Sequence, residues 1–294
     1  MVHERKTLLL FAQLLLSGIL IGGLYALSAL GLSLIFGVMR VLNVAHGAFY
    51  MLGAFIVWTL TAQAGLPFFP ALLVTVAVVF ILGVIMERLI VRPIRHDEVS
   101  VLIVTFAAAF VVEELAKFIW SSRYRNISPY FSGTVNLGGL LVDLQRVFSF
   151  GVALAVIGLL LYVVRYTRLG LAMRMVTQDA EAALLMGINV ERIQMFSFGA
   201  GAALAASAAG LLGPLYLVFP AMGWDPLLRA FAIVILGGMG SLGGTIGAGL
   251  IIGVVEVLTG FYVEPRMTTV ATFLVLILIL IFRPTGLFGE EVEA

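Results

Sequence analysis

From Leu8 to Val38 the chain reads LLLFAQLLLSGILIGGLYALSALGLSLIFGV, without one charged residue. About 20 such residues already cross roughly 30 Å of hydrocarbon as a helix. The run is therefore read as a retained membrane anchor, because a cleaved leader ends its apolar part after about 15 residues at a small-residue cleavage signal. Further apolar runs follow at Gly47 to Gln63, Pro70 to Met86, Val99 to Ala116, Phe148 to Val164, Ile193 to Phe219, Ala230 to Leu258 and Thr268 to Phe282. Turn chemistry separates them, at Gly65-Leu66-Pro67, Arg92-Pro93, Ser128-Pro129, Phe219-Pro220 and Asp225-Pro226. No soluble domain fits between the runs. The composition agrees: 62% hydrophobic, 11% charged, mean hydropathy +1.15, against about a quarter charged in a soluble domain. The expected fold is all-α, a polytopic transmembrane helical bundle in a lipid bilayer, with residues 1–294 forming one membrane domain.

Several function classes drop out on composition. A net charge of +1 leaves no basic surface for nucleic acid. Cysteine is absent, which excludes disulfides and thiolate metal sites, and His3, His46 and His96 are too few and scattered for a metal cluster. A phosphate-binding loop needs a lysine after a glycine-rich turn; Lys6 and Lys117 are the only lysines, and neither follows glycine. No cofactor is expected, and no residues form a recognisable catalytic grouping.

The stretch from Arg165 to Arg192 carries Arg165, Arg168, Arg174 and Arg192, and the positive-inside rule places it in the cytoplasm. Alternation then puts Arg88, Arg92 and Arg95 on the same side and the piece from Lys117 to Arg146 outside, where Arg123 and Arg125 fit poorly. Five single spans before the arginine loop conflict with a cytoplasmic N-terminus. That conflict disappears if the Leu8 to Val38 run is a span plus a short return. The Ala230 to Leu258 run has the same ambiguity, since Gly237, Gly238, Gly240, Gly243 and Gly244 interrupt it and favour two half-length helices joined near mid-membrane. Eight spans result with neither run doubled. Ten elements result with both doubled, and both chain ends then lie inside.

Within the arginine loop, Glu181-Ala182-Ala183-Leu184-Leu185-Met186-Gly187-Ile188 suits a short amphipathic helix that Gly187 closes in a left-handed conformation. Such a piece is either an ordinary connector or a helix shaped for a groove on another protein. The glycine-rich stretch likewise has two readings. Gly240 to Gly244 and Gly243 to Gly247 are small-residue spacings for close helix packing, while a broken helix also exposes backbone groups to a transport path. Asn43, His46 and Gly47 stand where an apolar run breaks after Arg40 and share that ambiguity. Among ionisable residues, Glu113 and Lys117 are spaced to pair, Glu114 lies beside them, Glu87 neighbours Arg88, and Glu256 lacks a sequence-local partner. Charge within a span is costly and marks function by default.

The E-A-A-x-x-x-G element at Glu181 to Gly187 resembles the coupling loop of ATP-binding-cassette importer permeases. Tyr25-Ala26-Leu27 through Gly37, Leu42-Asn43-Val44-Ala45-His46-Gly47 with Met51-Leu52-Gly53, Leu236 to Gly244, and Arg283-Pro284-Thr285-Gly286-Leu287-Phe288-Gly289 narrow the resemblance to branched-chain amino-acid permeases of the LivH type, from about Ser17 to Gly289. The longer importer motif continues with Ile-x-Leu-Pro, where this chain has Ser197-Phe198-Gly199. The resemblance implies a bacterial-type inner-membrane subunit carrying leucine, isoleucine or valine. Its partners would be a second related permease, two ATP-binding subunits and a periplasmic substrate-binding protein. ATP would be held by the partners, with Glu181, Ala182, Ala183, Gly187 and Ile188 as the coupling contact and with Asn43, His46, Gly47, the five glycines and Glu256 as candidates along the path. A related importer permease for urea or short amides, and a stand-alone secondary transporter, are the alternatives.

Overall fold

The computed structural model describes residues 2–138 and 140–288. In chain order the helices are α1 (Val2–Met39), α2 (His46–Trp58), α3 (Phe68–Met86), α4 (Glu98–Trp120), α5 (Leu144–Tyr166), α6 (Arg168–Gln178), α7 (Ala180–Leu185), α8 (Val190–Leu212), α9 (Trp224–Gly237), α10 (Leu242–Tyr262) and α11 (Thr268–Phe282). Strands β1 (Thr134–Leu137) and β2 (Leu140–Asp143) form an antiparallel hairpin between α4 and α5. Eight helices are long and apolar enough to cross a membrane. With its π-helical last turn, Thr59–Gln63, α2 adds a shorter membrane element.

Burial sorts these helices into an inner and an outer set. The apolar windows of α1 and α8 are each 83% buried, whereas those of α5 and α11 are 17% and 11% buried. The outer helices present Leu, Ile, Val and Phe outward, for example Leu73 in α3 and Ile281 in α11, as lipid requires. The inner helices approach closely because they are built of small residues. A Cβ at Gly253 of α10 would lie 2.3 Å from the Gly22 Cα of α1, and one at Gly31 of α1 would lie 2.4 Å from the Gly201 carbonyl oxygen of α8. Gly18 meets Val254 and Gly37 meets Gly240, so α1 and α10 run antiparallel along most of their length.

The two ends of the bundle are distinct. At one, Arg92 and Arg95 reach Glu191 at the start of α8, with N···O distances of 3.2 and 3.3 Å, and the Arg40 side chain reaches the Thr177 carbonyl of α6 at 3.5 Å. This is the arginine end. At the other, Gln13 near the start of α1 donates to the Leu141 carbonyl of the hairpin at 2.9 Å. Arg125 is held there against the Trp58 ring, 4.0 Å from its centroid, and by the Trp120 carbonyl; these contacts accommodate an arginine that alternation alone leaves unexplained.

Two sequence expectations change. The Leu8 to Val38 run is not doubled, because α1 is one continuous helix. The return comes after it, through the non-helical residues 40–45, which start at Arg40 with φ of 55° and lead into α2. Five membrane elements therefore do precede the arginine loop, and the assumption that fails is that the chain starts on the arginine side. The start of α1 lies at the hairpin end, and α11 finishes at the arginine end.

The second break is real but displaced. α9 and α10 are separated at Gly238 to Ser241, where Gly238 and Gly240 have φ of 96° and 84°. It sits against Gly37 in the last turns of α1 and against Gly286 after α11, so it lies near the arginine end rather than at mid-membrane. Two of its amides are satisfied locally, Gly238 N–H by the Ile235 carbonyl at 3.2 Å and Ser241 N–H by the Gly238 carbonyl at 2.9 Å, and the Ser241 hydroxyl caps α10 by accepting from Gly244 N–H at 3.1 Å.

Candidate functional site

At the arginine end, α6 and α7 project as a capped pair. Thr167 caps α6 by accepting from Gly170 N–H at 3.1 Å, and the Asp179 carboxylate accepts from the Glu181 and Ala182 amides at 2.9 Å each. Glu181 adds negative charge in the first turn of α7, but Asp179 supplies the cap. Gly187 ends the helix with φ of 80°, and Ile188 N–H donates to the Ala183 carbonyl at 3.0 Å; this is the left-handed closure anticipated for that glycine. Ala183 is buried and Ile188 packs on the core. The outward residues are Glu181, Ala182 and an apolar tip, with Leu185 90% and Met186 73% exposed.

Deeper in the bundle, three helices converge on Glu256 of α10. Arg229 of α9 donates from Nε to Glu256 Oε1 at 2.7 Å. Tyr25 of α1 donates to Oε2 at 2.9 Å, and Thr272 of α11 donates to Oε1 at 3.1 Å. Tyr216 Oη lies 3.3 Å from Tyr25 Oη. A carboxylate in a span is tolerable only when paired and bonded, and Arg229 supplies the partner that is missing nearby in sequence. A cavity of about 160 Å³ opens beside this cluster, bounded by Tyr25, Tyr50, Tyr216, Leu217, Asp225 and Arg229 among others.

The remaining candidates fall elsewhere. His46 Nε2 lies 3.0 Å from the Ser28 carbonyl, and Asn43 Oδ1 accepts from Ala45 N–H at 3.1 Å to shape the turn into α2. Both side chains are buried, and among the described residues His46 Nδ1 and Asn43 Nδ2 have no partner. Gly47 faces Gly223, whose carbonyl oxygen would be 2.5 Å from an added Cβ. Gly237 and Gly244 press on each other, and Gly238 lies against Gly286, whereas among the described residues an added Cβ at Gly243 would meet nothing within 4 Å. Glu113 pairs with Lys117 at 3.0 Å and accepts from the Trp224 indole at 2.9 Å, and Glu114 takes Lys117 at 2.6 Å. Glu87 is bonded to Arg92 at 3.1 Å, not to its neighbour Arg88. Asn43, His46 and Gly47 thus form one buried cluster at the start of α2, the glycines form a second at the α9–α10 break, and Glu256 belongs to a third. Gly289, the last residue of the C-terminal stretch, lies outside the described residues.

Residues 14–281 match the family model described as branched-chain amino acid transport system, permease component. The chain belongs to this permease family. The permease is 31% identical to the high-affinity branched-chain amino acid transport system permease protein LivH of Escherichia coli, over 97% of this chain and 98% of that protein. It is 34% identical to the corresponding protein BraD of Pseudomonas aeruginosa, over 96% and 97%. A different permease protein of the same Escherichia coli system, LivM, is 28% identical over 90% of this chain and 67% of its own length.

Within this permease, sequence reasoning missed Asp179, Leu185, Met186, Arg229 and Tyr216. Asp179 followed by Glu181 just before a short helix is a readable capping signal. Arg229 is an intramembrane charge and carried the same signal as Glu256. Nothing in the sequence marks Tyr216.

Proposed function

We propose that this multi-pass permease is the membrane-spanning subunit of an ATP-driven importer of branched-chain amino acids in a bacterial-type inner membrane, with the arginine end in the cytoplasm. The observation carrying this reading is the capped α7 tip: apolar side chains held out at the arginine end have no use in a solitary bundle and suit insertion into a partner's groove. ATP is bound and hydrolysed by two partner subunits that dock there. A second, related permease stands beside this one, consistent with similarity to both LivH and LivM. A periplasmic binding protein delivers substrate at the hairpin end. Closure of the ATPases moves α6 and α7, and α7 passes the movement to the bundle through buried Ala183 and core-packed Ile188. A stand-alone carrier has less support, because Glu256 is an ion-paired carboxylate rather than a free acid.

The test is reconstitution of the purified permease with its genomic neighbours in proteoliposomes. ATP-dependent leucine, isoleucine or valine uptake that requires both the ATPases and the binding protein is expected. Uptake by the permease alone, or transport of urea or short amides in preference, would overturn it.

A further inference from the structure

We propose that the cavity beside Arg229 is a binding site for the zwitterionic backbone of an aliphatic amino acid in transit, with Arg229 receiving the α-carboxylate and Asp225 the α-ammonium group. The identity of the solute rests on the function proposed above; the site rests on four observations. First, Arg229 uses only its Nε on Glu256, and among the described residues its two Nη nitrogens make no hydrogen bond, although the residue lines the cavity. Both oxygens of Glu256 are meanwhile engaged, Oε1 by Arg229 and Thr272 and Oε2 by Tyr25. The arginine therefore keeps an open fork of donors, the geometry that matches a carboxylate.

Second, Asp225 precedes Arg229 by four residues, one turn along α9, which sets their Cβ atoms about 5–6 Å apart. It is exposed, lines the same cavity, and makes no hydrogen bond or ion pair among the described residues. An acid in a first helical turn is unremarkable by itself; an open acid and an open guanidinium bordering one cavity are the two halves of zwitterion recognition. Third, the wall beyond them is apolar, with Leu217 and Met222, and the Tyr25 and Tyr216 hydroxyls lie at the polar side. Fourth, about 160 Å³ corresponds to on the order of ten water molecules, the size of a small aliphatic amino acid. A purely structural role for Arg229, neutralising Glu256, explains the ion pair and leaves Asp225 and the cavity unaccounted for.

The experiment uses the complete complex in proteoliposomes with its binding protein, and compares leucine and valine uptake by wild type, Asp225→Asn and Leu217→Trp. Both positions are exposed, so the complex should assemble normally. Asp225→Asn is expected to raise the uptake KM for both amino acids roughly tenfold, the loss of one charge-assisted bond. Leu217→Trp, which narrows the apolar wall, is expected to shift the leucine-to-valine kcat/KM ratio toward valine by about fivefold or more, consistent with the discrimination available to one methylene. Wild-type KM values and ratio in both assembled variants would overturn the site while leaving the importer reading intact. Failure of the wild-type complex to carry any branched-chain amino acid would overturn both.

Discussion

Adjacent glycines at the start of α10 should respond oppositely to the same methyl group. An alanine Cβ at Gly244 would lie 1.9 Å from the Gly237 carbonyl oxygen, whereas at Gly243 it would meet nothing within 4 Å among the described residues. Restoring an ordinary contact of 3.4 Å at Gly244 needs about 1.5 Å of separation between α9 and α10. That carbonyl also accepts from Phe288 N–H at 3.3 Å, beside the Leu287 N–H to Leu236 carbonyl bond of 2.8 Å, so the displacement strips the C-terminal segment from α9. Overpacking costs about 1–3 kcal/mol and the weakened hydrogen bond about 0.5–1.5 kcal/mol, giving about 2–4 kcal/mol lost in Gly244→Ala. Gly243→Ala instead gains about 0.5–1 kcal/mol, from relief of glycine's backbone entropy inside a helix. Thermal unfolding of the detergent-purified protein, followed by tryptophan fluorescence, should place the apparent Tm of Gly244→Ala about 5 °C or more below wild type and Gly243→Ala at or above it. Equal Tm values for the two variants would refute the close-approach reasoning.

At Gly187, valine must adopt φ of 80° at a cost of about 1–2 kcal/mol; membrane insertion and binding-protein affinity should be unchanged in Gly187→Val, while in the reconstituted complex ATPase retention or the ratio of uptake to ATP hydrolysed falls. The cysteine-free chain allows a direct test of sidedness: Gln178→Cys, exposed at the end of α6, should resist a membrane-impermeant thiol reagent in intact cells and react in inverted vesicles, and Ser132→Cys near the hairpin should do the reverse. Asp97, the cap of α4, has its carboxyl held below the ordinary 3.8, first by the Ser100 hydroxyl at 2.5 Å and then by the Val99 and Ser100 amides. Because the folded value is depressed, its contribution is complete above the ordinary value and is lost as pH falls through the depressed one; amide exchange at Val99 and Ser100, corrected for intrinsic rates, should lose protection only below that value, and Asp97→Asn should abolish the pH dependence.

Length and apolarity were enough to locate the spans, since a run such as Thr268 to Phe282 has no other stable place, and Gly187 announced its own left-handed turn. The failures share a cause. Whether a long apolar run folds back depends on what packs against it, and α1 stays continuous because Gly18, Gly22 and Gly31 lie against glycines, backbone and neighbouring side chains of α10 and α8, more than 150 residues away in sequence. A shorter separation was enough to hide the Glu256 partner: Arg229 is 27 residues earlier, across a helix break. The depth of the α9–α10 break depends on Gly37 and Gly286, which no local pattern connects to it. At α7, periodicity suggested a helix with an apolar face without saying which apolar residues the bundle would absorb, so Ala183 and Ile188 turned out to be anchors and Leu185 and Met186 the tip.

The non-helical return at 40–45 bears on how the chain is made. Val41, Asn43, Val44 and Ala45 are buried in an irregular stretch whose backbone is shielded by protein; Val44 N–H, for instance, is satisfied by the Thr105 hydroxyl of α4 at 3.2 Å. Unbonded backbone cannot rest in hydrocarbon, and α2, short and starting with His46, is a poor candidate for independent entry into a bilayer. Its neighbours α4 and α8 leave the ribosome later. During biogenesis this element must therefore wait in a watery or translocon-lined environment and join the bundle only after α8 arrives, making late assembly obligatory at its core. Chains arrested before Val190 should accordingly leave a cysteine at Phe49, whose ring packs on Phe198 of α8, open to aqueous labelling, and chains long enough for Gly213 to have left the ribosome should close it.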